Sequence, residues 1–179
     1  MPLHDLPFEL DVFQARETIQ PFIRRTPTMR MKELENPPGG GVFLKLENLQ
    51  VTGSFKVRGA ANRILTLSRE ERGRGVVACS SGNHGRAVAQ IAGIQGIPAA
   101  ICVPSWVDPV KKQGMETAGA RVLLAGETYD EAEVRALALA AEEGRVFVQP
   151  FDDPWIAAGQ GTLGLELLEQ VPELHTVLV

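Results

Sequence analysis

Val76-Val77-Ala78-Cys79-Ser80-Ser81-Gly82-Asn83-His84-Gly85-Arg86-Ala87-Val88 is the stretch that decides the fold. Its first four residues are apolar and read as a buried strand. Ser80 to Gly85 read as a loop. Beyond it Ala87, Val88, Ile91 and Ala92 recur at helical spacing. Strand, loop and helix in that order make the first part of a βαβ unit. The rhythm then repeats. Pro98 stops the helix, and Ala99–Val103 reads as the next strand. Asp108-Pro109 sets a capping carboxylate before a proline, which starts a helix that ends near Gly119. Arg121–Leu124 is a third strand. Thr128 and Glu131 have capping-box spacing for an alanine-rich helix to about Glu143. Val146–Val148 is a fourth strand, and Asp153-Pro154 opens a helix to about Gln170. The pattern predicts an α/β fold built on a parallel sheet.

Upstream the signals are sparser. Pro37 to Gly41 form a turn before a strand at Val42–Leu46. Ser54 is placed to cap a helix running to Leu67, and Ser68 with Glu71 forms a capping box for a short one. At the other end Thr176-Val177-Leu178-Val179 reads as a buried strand. The 179 residues suffice for one ordinary domain or two small ones, with a core that needs no disulfide.

Charge and composition narrow the function. Lysine and arginine number 18 against 22 aspartates and glutamates, a net charge of −4, which disfavours nucleic acid and anionic membranes as partners. Arg24-Arg25 reads as a solvated helix end. Cys79 and Cys102 lie in apolar runs and read as buried free thiols. No cysteine or histidine spacing suggests a metal site, and Asp152-Asp153 reads as a helix cap. The start of the chain lacks the basic and apolar regions of a secretory signal, and no apolar run approaches the roughly 20 residues of a membrane span. A cytoplasmic protein is expected.

Two runs carry candidate chemistry. The Ser80–Gly85 loop follows a strand and opens a helix, where main-chain N–H groups and the helix dipole favour an anion. It lacks a Walker lysine and a dinucleotide fingerprint, so it suits a carboxylate better than a polyphosphate. A plain polar turn is the competing reading. The second run is Thr52-Gly53-Ser54-Phe55-Lys56-Val57-Arg58-Gly59-Ala60. Its Lys56 is either an exposed amine at a helix start or a Schiff-base nucleophile made neutral by burial. Phe55 offers a wall or face for a flat ring. Arg58 is a charge neighbour or a surface residue, and Lys45 reads as an alternating strand residue. His84 is a satisfied helix-start residue or a catalyst; His4 and His175 stand away from any cluster.

Together the runs resemble a known family. Glu47 to Ala60 is similar to the cofactor-lysine motif of the threonine/serine dehydratase and serine racemase family, fold-type II pyridoxal-phosphate enzymes. Ser80 to Gly85 resembles their substrate-carboxylate loop, and Pro150 to Pro154 with Ala158-Gly159-Gln160-Gly161-Thr162 resembles a third stretch. The resemblance runs from about Arg25 to Val179. It implies three-layer open parallel sheets with flanking helices, like the β subunit of tryptophan synthase. It implies a large domain beginning in residues 1–74, a small α/β domain over 75–149, and a return into the large domain over 150–179. Lys56 would form the Schiff base with pyridoxal 5'-phosphate and move the substrate's α-proton. Phe55 would pack on the pyridine ring and Asn83 would bond its hydroxyl. Ser80, Asn83 and His84 would hold the substrate carboxylate. Ser81 would lie on the ring face opposite Lys56, where racemases of the family use a serine.

The reaction implied is β-elimination from L-threonine or L-serine to a 2-oxo acid and ammonia. Serine racemization and another hydroxy-amino-acid lyase activity are the alternatives. The substrate is a small hydroxy-amino acid, no metal is expected, and the full-length protein is expected to form homo-oligomers. Members of the family are about twice this long. Their Gly-rich phosphate-binding loop would begin just after Val179, and the rest of the large domain would follow. A fragment, a disrupted gene and a split chain all fit that expectation, as does an inactive or assembly fragment.

Overall fold

Parity along two strands sets the layers. In the computed structural model, which describes residues 11–35 and 41–179, β3 (Val76–Cys79) and β4 (Ala99–Val103) are buried along their whole length. Successive side chains of a strand point to opposite faces. Val76, Ala78, Ile101 and Val103 enter one core with Ala87, Val88, Ile91 and Met115. Val77, Cys79, Ala100 and Cys102 enter a second core with Ala132, Ala136 and Leu139. The sheet is therefore covered on both faces, as a run of apolar residues without alternation demands.

The four strands are parallel, in the order β5-β4-β3-β6, with β5 at Arg121–Leu124 and β6 at Val146–Phe147. Helices α4 (Asn83–Ile94) and α5 (Pro109–Thr117) connect β3 to β4 and β4 to β5. Helix α6 (Tyr129–Glu143) brings the chain back across the other face to the far side of β3. The loops that leave β3 and β6 consequently open side by side at the carboxyl edge of the sheet, where ligands of open α/β sheets gather. The capping devices form as expected. Asp108 accepts from the Val110 and Lys111 N–H groups, Asp153 from that of Ile156, and both capping boxes close.

Three helices stand beyond α4: α1 (Val12–Ile19), α2 (Lys56–Leu65) and α7 (Pro154–Gln170). A short helix, α3 (Arg69–Arg74), leads from α2 toward β3. Helices α2 and α7 cross at Gly59 and Gly159. A Cβ on Gly159 would lie 2.5 Å from the Arg58 carbonyl oxygen and 2.7 Å from the Gly59 Cα. Only hydrogen at both positions allows that approach.

A buried ion network ties the chain's early segment to this helix pair. Arg58, at 0% exposure, donates from Nε and Nη2 to the two Glu47 oxygens, each at 2.8 Å. Its Nη1 donates to Glu166 at 2.8 Å and to Thr162 at 3.2 Å. Lys45 donates to Glu166 at 2.6 Å, to the Thr26 carbonyl at 2.7 Å and to Gln170 at 2.9 Å. Two cations thus balance two carboxylates. Burial alone would raise the Glu47 pKa. Hydrogen bonds from Arg58 and Thr26, with the charges of Arg58 and Lys45, overcome that and hold it below the ordinary value.

Several local expectations are corrected. Of the two readings of Arg58 the surface one is ruled out, and Lys45 lies in a strand as expected but turns its side chain inward to pair with Glu166; neither ion-pair role has a sequence signature, because its partners are distant in the chain. Phe55 rather than Ser54 takes the N-cap position of α2, with Ser54 Oγ accepting from the Lys56 N–H at 3.1 Å. That helix ends at Leu65. A strand absent from the sequence reading, β1 (Thr28–Arg30), pairs antiparallel with β2 (Phe43–Lys45). Thr176–Val179 is exposed and pairs with no strand among the described residues. The Pro37–Gly40 part of the predicted turn, and His4, lie outside the described residues. Replacing Arg58 with methionine removes the cation that joins two buried carboxylates. Urea unfolding of Arg58→Met should show a loss of about 3–5 kcal/mol, the usual cost of breaking a buried pair from one side.

Candidate active site

Lys56 opens α2, two residues before Arg58, so the ion network that anchors the helix also fixes where its first side chain starts. The lysine is half-buried. Its Nζ donates to the Pro150 carbonyl oxygen at 2.7 Å and lies 5.3 Å from the centre of the exposed Phe55 ring. Burial lowers its pKa. A carboxylate partner would hold the amine as ammonium; the neutral carbonyl leaves it readier to lose its proton.

The loop after β3 is built from its own polar groups. Ser80 is buried; its N–H donates to the Cys102 carbonyl at 3.2 Å and its Oγ accepts from the Gly82 N–H at 3.2 Å. Ser81 and Gly82 are half-buried and Asn83 is exposed at the first position of α4. No side chain caps this helix. The first-turn N–H groups of an uncapped helix are ready donors to an anion. Gly85 lets the first turn sit against β3, since a Cβ there would come within 2.7 Å of the Ser80 carbonyl oxygen.

His84 turns the other way. Its ring is buried, with Nε2 at 3.0 Å from the Val148 carbonyl oxygen. Burial pushes its pKa down to about 4, with the Lys56 charge adding to the effect and the Val148 hydrogen bond opposing it. The ring is therefore neutral at physiological pH. What His84 presents at the loop is its main-chain N–H. The sequence reading placed His84 and Lys56 in separate motifs; the fold brings both side chains to one short segment, Val148 to Pro150. The carbonyl groups of that segment had no signal in the sequence, because any residue supplies one.

The donor set fits a ligand with a carbonyl carbon, a flat ring and an anionic group. Lys56 supplies an amine, Phe55 an exposed ring face beside it, and the start of α4 supplies main-chain donors with the Ser81 and Asn83 side chains nearby in the chain. Cys79 and Cys102 are buried free thiols, and burial pushes Cys79 up to about 12, so neither is a nucleophile at neutral pH. Among the described residues, no group of three or more histidine, cysteine or acidic side chains could hold a metal ion, and no helix is long and apolar enough to cross a membrane.

The family described as pyridoxal-phosphate dependent enzyme matches residues 19–179. An L-threonine ammonia-lyase of Thermotoga maritima is 47% identical over 169 residues, covering 94% of this chain and 42% of that protein. A catabolic L-threonine dehydratase of Staphylococcus aureus is 44% identical over 170 residues, covering 94% of this chain and 49% of that protein. The structure of maize serine racemase superposes with a TM-score of 0.87 at 37% identity, covering 92% of this chain and 50% of that one. The chain spans about half the length of the relatives it matches.

The buried histidine gives the fold a pH signature. The unfolded chain protonates His84 near 6.5, and the folded chain only near 4. Stability is therefore full above 6.5 and falls as the pH drops toward 4. Urea midpoints measured across that window should decline in the native chain and decline less in His84→Gln, whose amide does not titrate.

Proposed function

We propose that this chain, which belongs to the pyridoxal-phosphate-dependent enzyme family, carries the reactive lysine of an ammonia-lyase that converts L-threonine or L-serine to a 2-oxo acid and ammonia. The observation that carries the reading is the Lys56 amine: half-buried, lowered in pKa by burial, and held by a carbonyl rather than a carboxylate beside the start of α4. The relatives whose names include threonine ammonia-lyase and threonine dehydratase support the substrate class.

Pyridoxal phosphate, when bound, supplies an aldehyde for a lysine amine and an electron-withdrawing ring that makes the α-proton of an amino acid removable. The chain's own residues supply position and proton transfer. Lys56 would bond the cofactor and then take the α-proton as its amine becomes free. Phe55 would border the ring. Asn83 would bond the ring hydroxyl, and with Ser80 and the main-chain N–H groups of the α4 start it would hold the substrate carboxylate. His84, neutral and buried, would add a main-chain donor and no charge. Loss of the β-hydroxyl as water and a later addition of water leave a 2-oxo acid and ammonia as net products.

Adding pyridoxal phosphate to the purified chain should give a visible absorbance band that borohydride bleaches, leaving the reduced pyridoxyl group bonded to Lys56, and Lys56→Ala should lack it. A band that survives in Lys56→Ala, or no band from the native chain, overturns the assignment. The second outcome favours a binding or assembly role for the chain.

Serine racemization is the second reading, favoured by the presence of a serine, the half-buried Ser81, in the loop after β3 and by the likeness to maize serine racemase. In the protein that turns over L-serine, Ser81→Ala should abolish D-serine formation and spare 2-oxo acid formation. Equal loss of both products removes Ser81 from the proton path.

A further inference from the structure

His84 is 3% exposed, yet among the described residues only one of its ring nitrogens has a partner. Nε2 lies 3.0 Å from the Val148 carbonyl oxygen, while Nδ1 is buried with no hydrogen bond from any described residue. A carbonyl only accepts, so Nε2 carries the proton and Nδ1 keeps a bare lone pair. An apolar side chain would fill this place without an unpaired acceptor, so packing alone does not explain an imidazole here. The segment that the ring holds does. Val148 donates its N–H to the Val77 carbonyl at 2.8 Å, at the end of β6, and the chain then leaves the sheet. Two residues later the Pro150 carbonyl takes the Lys56 amine at 2.7 Å. One short stretch of main chain is thus gripped by a side chain from α4 and in turn grips the first side chain of α2.

We infer that His84 is a positioning residue for Lys56: by holding the Val148 carbonyl it sets the course of Val148 to Pro150, and so the place of the amine. The ring does this without adding charge beside the lysine. The catalytic consequence rests on the reading of Lys56 as the cofactor lysine, whereas the positioning is a property of the cofactor-free chain and is tested there.

The test follows the Lys56 amine by NMR titration of the reductively ¹³C-methylated chain, without cofactor, in the native protein and in His84→Gln, His84→Asn and His84→Leu. Glutamine reaches as far as Nε2 and keeps an N–H for Val148; asparagine is one methylene short; leucine has no donor. When the segment is released, water replaces the Pro150 carbonyl and the amine regains its hydration. The Lys56 pKa should therefore rise toward that of an ordinary lysine in the asparagine and leucine variants and stay at its native value in the glutamine variant. The apparent dissociation constant for pyridoxal phosphate should rise roughly three- to tenfold in the same two variants, the worth of about one hydrogen bond. Lys56 titrating alike in all four folded proteins overturns the inference, even if every variant melts earlier. Should the leucine variant not fold, the glutamine and asparagine pair decides: identical titrations overturn the inference and divergent ones support it. A native chain with no lysine-dependent band overturns the cofactor reading alone, because the cofactor-free titrations do not depend on it.

Discussion

The buried guanidinium of Arg58 is the constraint on which the rest of this arrangement depends. A charge with no exposure is tolerable only with its donors satisfied and its charge balanced. Glu47 and Glu166 do both, from segments more than a hundred residues apart, and Lys45 shares Glu166. The network therefore dictates three placements together: the segment after β2, helix α2, and helix α7. The glycine crossing of α2 and α7 lets the helices come close enough for the arginine to reach. Lys56 lies two residues before Arg58, so the group that could do chemistry inherits its position from an interaction with no chemical role of its own.

The site is electrostatically quiet. The lysine faces a carbonyl oxygen, the nearby histidine is kept neutral by burial, and the Cys79 thiol remains protonated. Fixed main-chain dipoles do the work that charged side chains do in many sites: the carbonyl groups of Val148 and Pro150 orient two side chains, and the uncapped start of α4 offers N–H groups. Such dipoles are held by the sheet and cost no reorganisation when a ligand's charge arrives. That favours an amine free to lose its proton and a carboxylate held without a competing cation.

Much of the fold was legible from the chain alone, and the reason is local. The caps at Asp108, Thr128 and Asp153 formed because a short polar side chain before a helical run satisfies N–H groups within three residues of itself. The strands from Val76 onward were legible because residues buried on both faces must be apolar throughout. The ends of the chain's pattern were less so. Thr176–Val179 has a strand's composition, but pairing is a property of two segments. Strand β1 was missed for the converse reason: its hydrogen bonds come from β2, not from its own composition.

The candidate site divides in the same way. Lys56 and the Ser80–Gly85 loop could be picked out as candidates by type and spacing, each with a plain structural reading beside it, and only the family resemblance of the two runs together gave Lys56, Ser81 and Asn83 their expected roles. Sequence by itself therefore determined the strands of the parallel sheet, the helix caps and the candidate amine. Only the tertiary structure decided that Arg58 and Lys45 are interior ions, that the His84 ring faces away from the loop it belongs to, and that Lys56 and His84 meet at Val148 to Pro150. Those facts depend on main-chain carbonyls and on partners distant along the chain, and neither leaves a mark in the order of side chains.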